Sequence, residues 1–513
     1  MARSAFPLAA AAVAAALVVL TLGTLGAVLA RAGGAGGMVA ADWAALRFTV
    51  WQAVLSALFS VALAVPVARA LARRRFVGRG ALIVLLGAPF ILPVIVAVLG
   101  LLAVFGRAGI FNQALSVLGL PAVQIYGLHG VVLAHVFLNM PLVVRMTLQG
   151  WQAIPAERFR LAAALGFGPT AHWQHLEAPM LRAVLPGAAA TVFIICLTSF
   201  AVALTLGGGP RATTVELAIY QALRFEFDLP RAASLAVLQF ALCAVAVGLA
   251  AGLTLPAGFG AGLDRALALA APVGWRRWLD ALIIALAAAF VALPLLAVAQ
   301  RGVPGLADLP VQVWSAAGRS VLVALAACAL AVGGALALAL AVARRWRGFE
   351  LVAMLPLAAS SLVLGTGLFV LLYPLIRPAS IALPVTVLVN ASLALPFAFR
   401  ILLPETRSVE ADYGRLSQSL GLQGLTRLRW LVLPRLRRPL GFALGVTAAL
   451  SMGDLGVIVL FAGETGATLP LVVQRLLAAY RTEAAAAAGL LLVTISFALF
   501  WLFDWAGRHH AAA

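Results

Sequence analysis

Long apolar runs separated by short polar segments make up most of this chain of 513 residues. A bilayer core of about 30 Å is crossed by about 20 apolar residues in an α-helix, so each run of that length predicts one membrane span. The runs are continuous, whereas strands of outer-membrane barrels alternate apolar with polar residues. We therefore predict an all-α polytopic membrane protein with about 12 transmembrane helices. The twelve runs are Ala5–Ala30, Phe48–Leu71, Ala81–Phe105, Ile125–Val144, Val184–Leu206, Ala232–Leu253, Ala281–Ala299, Val321–Ala343, Leu351–Tyr373, Ile381–Phe399, Leu440–Phe461 and Ala484–Phe503.

Composition and charge agree with a membrane location. The chain is 64% hydrophobic and 10% charged, and its net charge of +19 comes from arginines in short loops, which indicates membrane topology and lipid contact rather than nucleic-acid binding. By the positive-inside rule, both termini are predicted to be cytoplasmic in a multi-pass protein of a bacterial inner membrane. The first run is longer than the core of a signal peptide, which favours a retained helix. The arginine-rich loops contain Arg69, Arg73, Arg74, Arg75 and Arg79; Arg265, Arg276 and Arg277; and Arg344, Arg345 and Arg347.

An internal repeat is visible when the sequence is shifted by 255 residues. Of the 50 aligned pairs between Asn139 and Ala188, 14 are identical, and these include Pro, Gly and Arg. Duplication is a common origin of transporters. We predict two parallel six-helix copies, residues 1–255 and 256–513, related by an axis along the membrane normal. Identical pairs include Pro141 and Pro396, Arg145 and Arg400, Gly166 and Gly421, Pro179 and Pro434, and Arg182 and Arg437.

The most strongly matched part of each copy is a polar loop, residues 150–182 and 405–437, predicted to be cytoplasmic. In the first copy, Pro155 is suited to start a helix, Gly166 to stop it in a left-handed conformation, and Pro169 to start another that Pro179 ends. A short helix across the mouth of the bundle can transmit a push from a soluble partner. The alternative is a helix that rests on lipid headgroups, anchored by Trp173 and Trp430.

The two loops resemble the EAA loop of bacterial ABC importer permeases, which has a small or acidic triplet, a glycine, and a proline 13 residues after the glycine. In that family the loop forms a coupling helix that docks into a groove of the ATPase subunit. Both copies depart from the family pattern by placing Arg and Leu at the first two triplet positions. The matching residues are Arg160, Leu161, Ala162, Gly166 and Pro179, and then Arg415, Leu416, Ser417, Gly421 and Pro434.

Nearly the whole chain is similar to fused double-loop permeases of the ferric-iron and thiamine type, and the segment 199–239 looks closest to thiamine permeases. The resemblance implies an ABC type-1 permease fold, a periplasmic substrate-binding protein and an ATPase dimer as partners. It also implies a small-molecule cargo, with thiamine or its phosphates as the first expectation and ferric iron as the alternative.

The basic residues bear on the energy source, because all 36 are arginine. A Walker A phosphate loop needs a lysine, so this chain cannot contain one. We expect a separate ATPase subunit to bind the ATP, and no catalytic residue, metal or cofactor in this chain.

An ion-driven transporter is the alternative class, and it usually needs carboxylates within the membrane. Asp454 is the only acid that clearly falls within a predicted span, and Ser199 is its partner at the 255-residue offset. Both are candidates for the translocation path, and a helix-packing or helix-end role for Asp454 is the alternative.

The segment 207–231 is predicted to lie outside the membrane. Its mixed charges suit either a docking rim for the binding protein or a solvated loop surface. They are Arg211, Glu216, Arg224, Glu226, Asp228 and Arg231.

Overall fold

The computed structural model describes residues 5–32, 38–207, 209–250, 252–253, 274–344, 346, 348–463 and 466–509. Within these ranges every regular element is helical, and eleven helices are long and apolar enough to cross a membrane. A twelfth crossing is present if Gly348–Ala358 and Ser361–Leu372, which meet at 88°, form one span. The predicted all-α polytopic fold is confirmed. Arg265, Arg345, Arg347 and the predicted boundary at 255/256 lie outside the described residues.

The described helices fall on either side of residues 254–273. Those before this segment are α1 Ala5–Val18, α2 Thr24–Ala32, α3 Ala40–Arg73, α4 Arg79–Leu85, α5 Ala88–Ile91, α6 Val94–Phe105, α7 Ile110–Val117, α8 Leu128–Gln152, α9 Ala156–Ala164, α10 Pro169–His172, α11 Ala178–Leu197, α12 Phe200–Leu206, α13 Val215–Gln221 and α14 Leu229–Ala250. Those after it are α15 Arg276–Gly302, α16 Val311–Ala343, α17 Gly348–Met354, α18 Ser361–Leu372, α19 Ala382–Ser419, α20 Gly424–Arg427, α21 Leu433–Gly453, α22 Ile458–Phe461, α23 Leu469–Ala478 and α24 Thr482–His509.

A similar succession of elements occurs in both halves of the chain. A long span (α3 or α16) precedes a broken one (α4–α6 or α17–α18), and a further span (α8 or α19) leads into the polar loop. After the loop come a second broken span (α11–α12 or α21–α22), a short helix (α13 or α23) and a last span (α14 or α24).

The first helix of each half packs against the broken span of the other half. A Cβ atom placed on Gly100 of α6 would lie 2.7 Å from the carbonyl oxygen of Pro294 in α15. A Cβ atom on Gly367 of α18 would lie 2.8 Å from the carbonyl oxygen of Thr24 in α2. Both distances are too short for a side chain, so glycine permits backbone contact at each crossing. Close approach at small residues is typical of helix packing in membranes.

Four of the predicted continuous runs are broken in the structure. The third breaks before Pro93, the fifth at Ser199, the ninth at Ser360 and the eleventh after Gly453. Pro93 has no N–H for a helical hydrogen bond, and Ser360 starts α18 because its hydroxyl accepts a hydrogen bond from the Val363 N–H at 3.1 Å. Irregular backbone at membrane depth is stable only inside protein or beside water. Apolar composition continues through each break, so the hydrophobic pattern does not show them.

The segment 207–231, predicted to lie outside the membrane, is not a solvated loop along its whole length. Glu216 is 0% exposed, and α13 packs in the core against α18 and α14. The N–H of Val215 donates to Thr49 Oγ1 at 2.9 Å, and the first N–H of α23, at Leu469, donates to Ser320 Oγ at 2.7 Å. These hydroxyls satisfy buried backbone donors, which allows both short helices to re-enter the bundle. Arg224 and Glu226 are exposed, as predicted.

One charge of this segment holds two helices together. Arg231 at the start of α14 forms an ion pair with Asp42 of α3, with 2.8 Å between Nη2 and Oδ1. The Asp42 side chain is 1% exposed and that of Arg231 is 20% exposed. Arg231 also contacts Glu226. The pair lies at the start of the second span, which begins at Ala40 rather than at Phe48 as predicted.

Loss of this pair is expected to lower stability. Arg231→Met leaves the Asp42 carboxylate buried without its guanidinium, which costs about 3 kcal/mol. The measurement is the thermal unfolding midpoint of the purified protein in detergent. Adding Asp42→Asn to Arg231→Met is expected to recover part of the loss, and the exposed Arg224→Met serves as control. Equal midpoints for Arg231→Met and Arg224→Met would contradict a structural role for the pair.

Candidate functional site

The first polar loop is a helix, a glycine turn and a second helix. Pro155 precedes α9, and Gly166 follows it with φ +65°. The N–H of Phe167 donates to the carbonyl of Ala162 at 2.9 Å, which closes the end of α9. Pro169 begins the next helix at α10. These features match the predicted layout, because a left-handed residue after a helix is most easily a glycine.

The second loop contains the same glycine turn but has no helix break before it. The span α19 continues without a break to Ser419, and Gly421 then adopts φ +66°. Glu410 stands at the position that Pro155 occupies in the first copy. Because glutamate donates a backbone hydrogen bond and proline does not, the second copy keeps one helix where the first copy breaks.

The prediction that Pro179 ends the helix before the next span is wrong, and the same holds for Pro434. Each proline lies in the first turn of a span, α11 or α21, and the backbone remains helical through it. A five-residue π-helical segment precedes each span, Trp173–Glu177 in one copy and Leu428–Val432 in the other. The wider π turn accommodates the proline ring and its missing N–H, so each loop is joined to its span as one helix.

The triplet residues divide into buried and exposed positions in the same way in both copies. Ala162 is 2% exposed and Ser417 is 3% exposed. Exposed leucines follow at matched places, with exposed fractions of 54–64%. Arg160 and Arg415 are also exposed, and Arg160 forms only a surface ion pair with Glu157. Each loop thus presents an arginine and two leucines outward. The leucines are Leu161 and Leu165 in the first loop and Leu416 and Leu420 in the second.

In each half an acid, buried Glu177 or partly buried Glu410, ties the loop to the long span, and neither ion pair is visible in the sequence. Glu177 accepts a 2.6 Å ion pair from Arg69 near the end of α3, with Arg73 at 3.8 Å. In the second copy, Glu410 lies 2.6 Å from Arg427 of the loop and 3.7 Å from Arg344, which follows α16. The acid follows the glycine turn in the first loop and precedes it in the second, so a shift of 255 residues does not align the two pairs.

The tryptophans of the loops differ in their surroundings. The guanidinium of Arg69 lies 4.8 Å from the ring centre of Trp173, whereas Trp430 is 69% exposed. Trp173 is 37% exposed and stacks against the arginine that ties the loop to α3, and Arg429 lies 5.6 Å from the ring centre of Trp430. Headgroup anchoring, the alternative considered above, fits Trp430 better than Trp173.

The predicted path residues both lie at helix breaks. Ser199 precedes α12, and Asp454 follows α21, so the 255-residue offset places them at equivalent breaks. Both are partly exposed. Asp454 Oδ1 accepts a long hydrogen bond of 3.4 Å from the Gly456 N–H, and Oδ2 has no hydrogen bond. The hydrogen bonds among the described residues do not join Ser199 to Asp454.

The structure instead packs the segment around Asp454 against the segment around Glu216, which was predicted to lie outside the membrane. Ser360 and Gln239 are the polar neighbours of Glu216. Val215 and Leu217, on either side of Glu216, pack in the same apolar cluster as Leu455, which follows Asp454. Amide side chains satisfy the ends of the broken helices. Gln239 Nε2 donates to the Leu197 carbonyl at 2.9 Å, and Asn390 Nδ2 donates to the Ser451 carbonyl at 3.3 Å. An acid in the apolar sequence Val-Glu-Leu-Ala-Ile was the available signal for burial of Glu216.

The side chains that could bind a metal ion are dispersed over the described part of the chain. Within it, no group of three or more His, Cys, Asp or Glu side chains is placed to hold a metal ion. The polar cluster around Glu216 has two carboxylates and is otherwise made of hydroxyl and amide groups. Its chemistry suits binding of a cation or of hydrogen-bond donors.

Comparison with known proteins extends over nearly the whole chain. The thiamine transport system permease protein of Salmonella typhimurium is 40% identical over 489 residues, which cover 91% of this chain and 90% of the relative. That of Brucella abortus is 39% identical over 516 residues, covering 97% and 94%. That of Escherichia coli K12 is 40% identical over 483 residues, covering 90% and 88%. No family model matches the chain.

The helical fold, the paired loops and these relatives define the chain as a permease subunit of an ABC transporter. Such a subunit is a transport component and not an enzyme. Within that class, the chain belongs to the family of thiamine transport system permease proteins. The resemblance stated from the loops is therefore confirmed.

Proposed function

We propose that this chain carries thiamine across a bacterial inner membrane, powered by ATP hydrolysis on a separate ATPase dimer. The observation that carries the proposal is the 39–40% identity, over most of both chains, to permeases of thiamine transport systems. These names favour thiamine over ferric iron as the cargo. A periplasmic binding protein delivers the cargo at the side opposite the loops.

Docking of the ATPase is supported by the outward residues of the loops. A leucine pair four residues apart is exposed in each loop, with an arginine beside it. Exposed apolar side chains at matched places are typical of contact surfaces for another protein. We assign one loop, 150–182 or 405–437, to each ATPase subunit, and one copy, 1–255 or 256–513, to each half of the transporter.

The orientation is supported by the arginines. The ion pairs of Arg69 and Arg344 place the arginine-rich ends of α3 and α16 at the same end of the bundle as the loops. The positive-inside rule assigns that end to the cytoplasm, together with both chain termini. The docking residues therefore face the compartment that contains ATP.

The contacts suggest how movement reaches the membrane. Each loop continues as one helix into α11 or α21, and each is tied by an ion pair to the end of α3 or α16. When ATP closes the ATPase dimer, both loops move together, and these connections carry the motion into two spans of each half. The helix breaks at Ser199 and Asp454 then become accessible from the opposite side of the membrane.

Uptake of labelled thiamine tests this proposal. The chain is expressed with its binding protein and ATPase in a strain that lacks its own thiamine importer. We expect uptake that requires ATP, stops when the ATPase carries an inactive Walker A loop, and persists when the proton gradient is collapsed with ATP maintained. Uptake that survives ATP depletion and falls with the gradient would show an ion-driven transporter. Iron uptake without thiamine uptake would show the ferric-iron alternative.

A further inference from the structure

Glu216 is an ionisable side chain buried among the helices of both halves. It is 0% exposed, and neither carboxylate oxygen has a hydrogen bond of normal length and angle. None of the ion pairs among the described residues includes Glu216 or Asp454. A buried ionisable group in a membrane protein is costly and marks function by default.

The surroundings of Glu216 offer hydrogen-bond acceptors in excess of donors. Gln239 is 0% exposed, and its Nε2 is occupied by the Leu197 carbonyl, which fixes the amide orientation. Its Oε1 is therefore a second buried acceptor, and it has no hydrogen bond. Ser360 contributes a hydroxyl that already accepts from Val363. Asp454 adds another carboxylate oxygen without a partner. These four side chains contain no positive charge and fewer hydrogen-bond donors than acceptors.

This cluster lies where the broken spans of the two halves meet. A Cβ atom on Gly453, at the end of α21, would lie 3.2 Å from Cα of Pro93 at the break before α6. A Cβ atom on Gly456 would lie 2.0 Å from Ser361 Oγ at the start of α18. Discontinuous helices that converge in this way form the substrate sites of many transporters. Asp454 is partly exposed while Glu216 is buried, so one acid of the cluster is accessible to solvent in this conformation.

We propose that Glu216 and Asp454 form an intramembrane site for the cationic heterocycle of the cargo, with Gln239 accepting a hydrogen bond from it. The inference rests on the proposed function. Thiamine carries a permanently charged thiazolium ring and an aminopyrimidine with N–H donors, which supply the charge and the donors that the cluster lacks. The two carboxylates face the ring charge, and the Gln239 carbonyl oxygen accepts from the amino group.

The site would also provide selectivity within the membrane. The charge of the cargo compensates the buried carboxylate. A neutral molecule of the same shape leaves that carboxylate uncompensated, so it binds more weakly. Transport through this chain should therefore prefer a cation over its neutral isostere, independently of the preference of the binding protein. That preference should depend on the charge of Glu216.

The test uses the complete transporter in proteoliposomes with binding protein and ATP. Two cargoes are compared, thiamine and an analogue in which a neutral thiophene ring replaces the thiazolium ring. The variants are Glu216→Gln, which keeps the volume and removes the charge, and Glu216→Asp, which keeps the charge. Glu483→Gln is the control, because Glu483 is exposed at the start of α24. All rates are divided by the amount of transporter recovered after size-exclusion chromatography.

We expect Glu216→Gln to reduce thiamine uptake about tenfold or more and to reduce uptake of the neutral analogue much less, so that the preference for the cation falls. Glu216→Asp should retain part of the preference, and Glu483→Gln should match the unmodified protein. Because the binding protein is the same in every sample, a changed ratio belongs to this chain.

Three results would overturn the inference. One is an unchanged ratio in Glu216→Gln, with either unchanged or equally reduced uptake of both cargoes, which would assign Glu216 a structural role. Another is uptake that requires sodium and is lost when an organic cation replaces it, which would assign the acids to an inorganic ion. A third is loss of the preference in Glu483→Gln as well. Absence of thiamine uptake by the unmodified transporter would instead refute the proposed function.

Discussion

Replacing both loop glycines by valine is expected to abolish ATP-driven uptake while the protein remains in the membrane. Gly166 and Gly421 have φ of +65° and +66°, and no atom lies within 4 Å of a Cβ placed on either. Crowding therefore plays no part, and the cost comes from the left-handed backbone, which is about 1–2 kcal/mol for a residue with a Cβ and more for a β-branched one. We expect each single valine variant to lose about tenfold in uptake, and the double variant to lose more.

The loop offers a matched control for this experiment. Gly168 lies two residues from Gly166, has an extended backbone with φ −72°, and also has no atom within 4 Å of a Cβ placed on it. Gly168→Val should therefore transport normally. Asparagine tolerates the left-handed region, so Gly166→Asn should recover much of the uptake. The measurements are thiamine uptake and co-purification of the ATPase. Normal uptake in the double valine variant would show that the loops are passive surface.

Glu410→Gln is expected to separate ATP hydrolysis from transport. Glu410 lies between Arg427, whose side chain is 3% exposed, and Arg344. Removing the carboxylate charge leaves the Arg427 guanidinium buried without its ion partner, at a cost of about 3 kcal/mol. The second loop then loses its ionic link to α16 but keeps its apolar contact with Leu340 and its outward leucines. We expect the ATPase still to bind and hydrolyse ATP, with uptake per ATP reduced about tenfold or more.

An exposed ion pair in the same region provides the comparison. Arg407 and Glu350 lie 3.0 Å apart with side chains 53% and 44% exposed, a type of pair that contributes about 0–1 kcal/mol. Glu350→Gln should leave uptake and hydrolysis unchanged. Adding Arg427→Met to Glu410→Gln removes the unpaired buried charge without restoring the ion pair. The double variant should therefore regain stability, whereas its uptake per ATP should stay low. Equal uptake per ATP in Glu410→Gln and Glu350→Gln would refute the proposed transmission through this ion pair.

Some site residues were predictable from sequence because their roles depend on local backbone chemistry. Gly166 and Gly421 adopt the left-handed conformation that the proline and glycine pattern predicts. The proline prediction failed at Pro179 because a π-helical segment, which the local sequence did not reveal, accommodates the ring within a continuous helix. The ion pairs of Glu177 and Glu410 were missed because their partners lie on other helices.

Sequence alone determined the features that depend on composition and short-range geometry. Apolar runs of about 20 residues require membrane insertion as helices, because lipid offers no partner for free backbone groups. Lysine is absent from the chain, and this excludes a Walker A loop whatever the fold. The repeat placed Ser199 and Asp454 at equivalent positions before their helix breaks were known.

Only the tertiary structure decided which polar groups are buried and what they contact. Glu216 lies in a segment with charged residues on both sides, and its burial depends on the Thr49 hydroxyl of α3, which accepts from the N–H of Val215, 166 residues away along the chain. Burial and ion pairing arise from the packing of distant helices, and the free energy of a charge depends on those neighbours more than on its own residue type. For that reason the coupling loops could be identified from sequence, whereas the polar cluster between the broken spans could not.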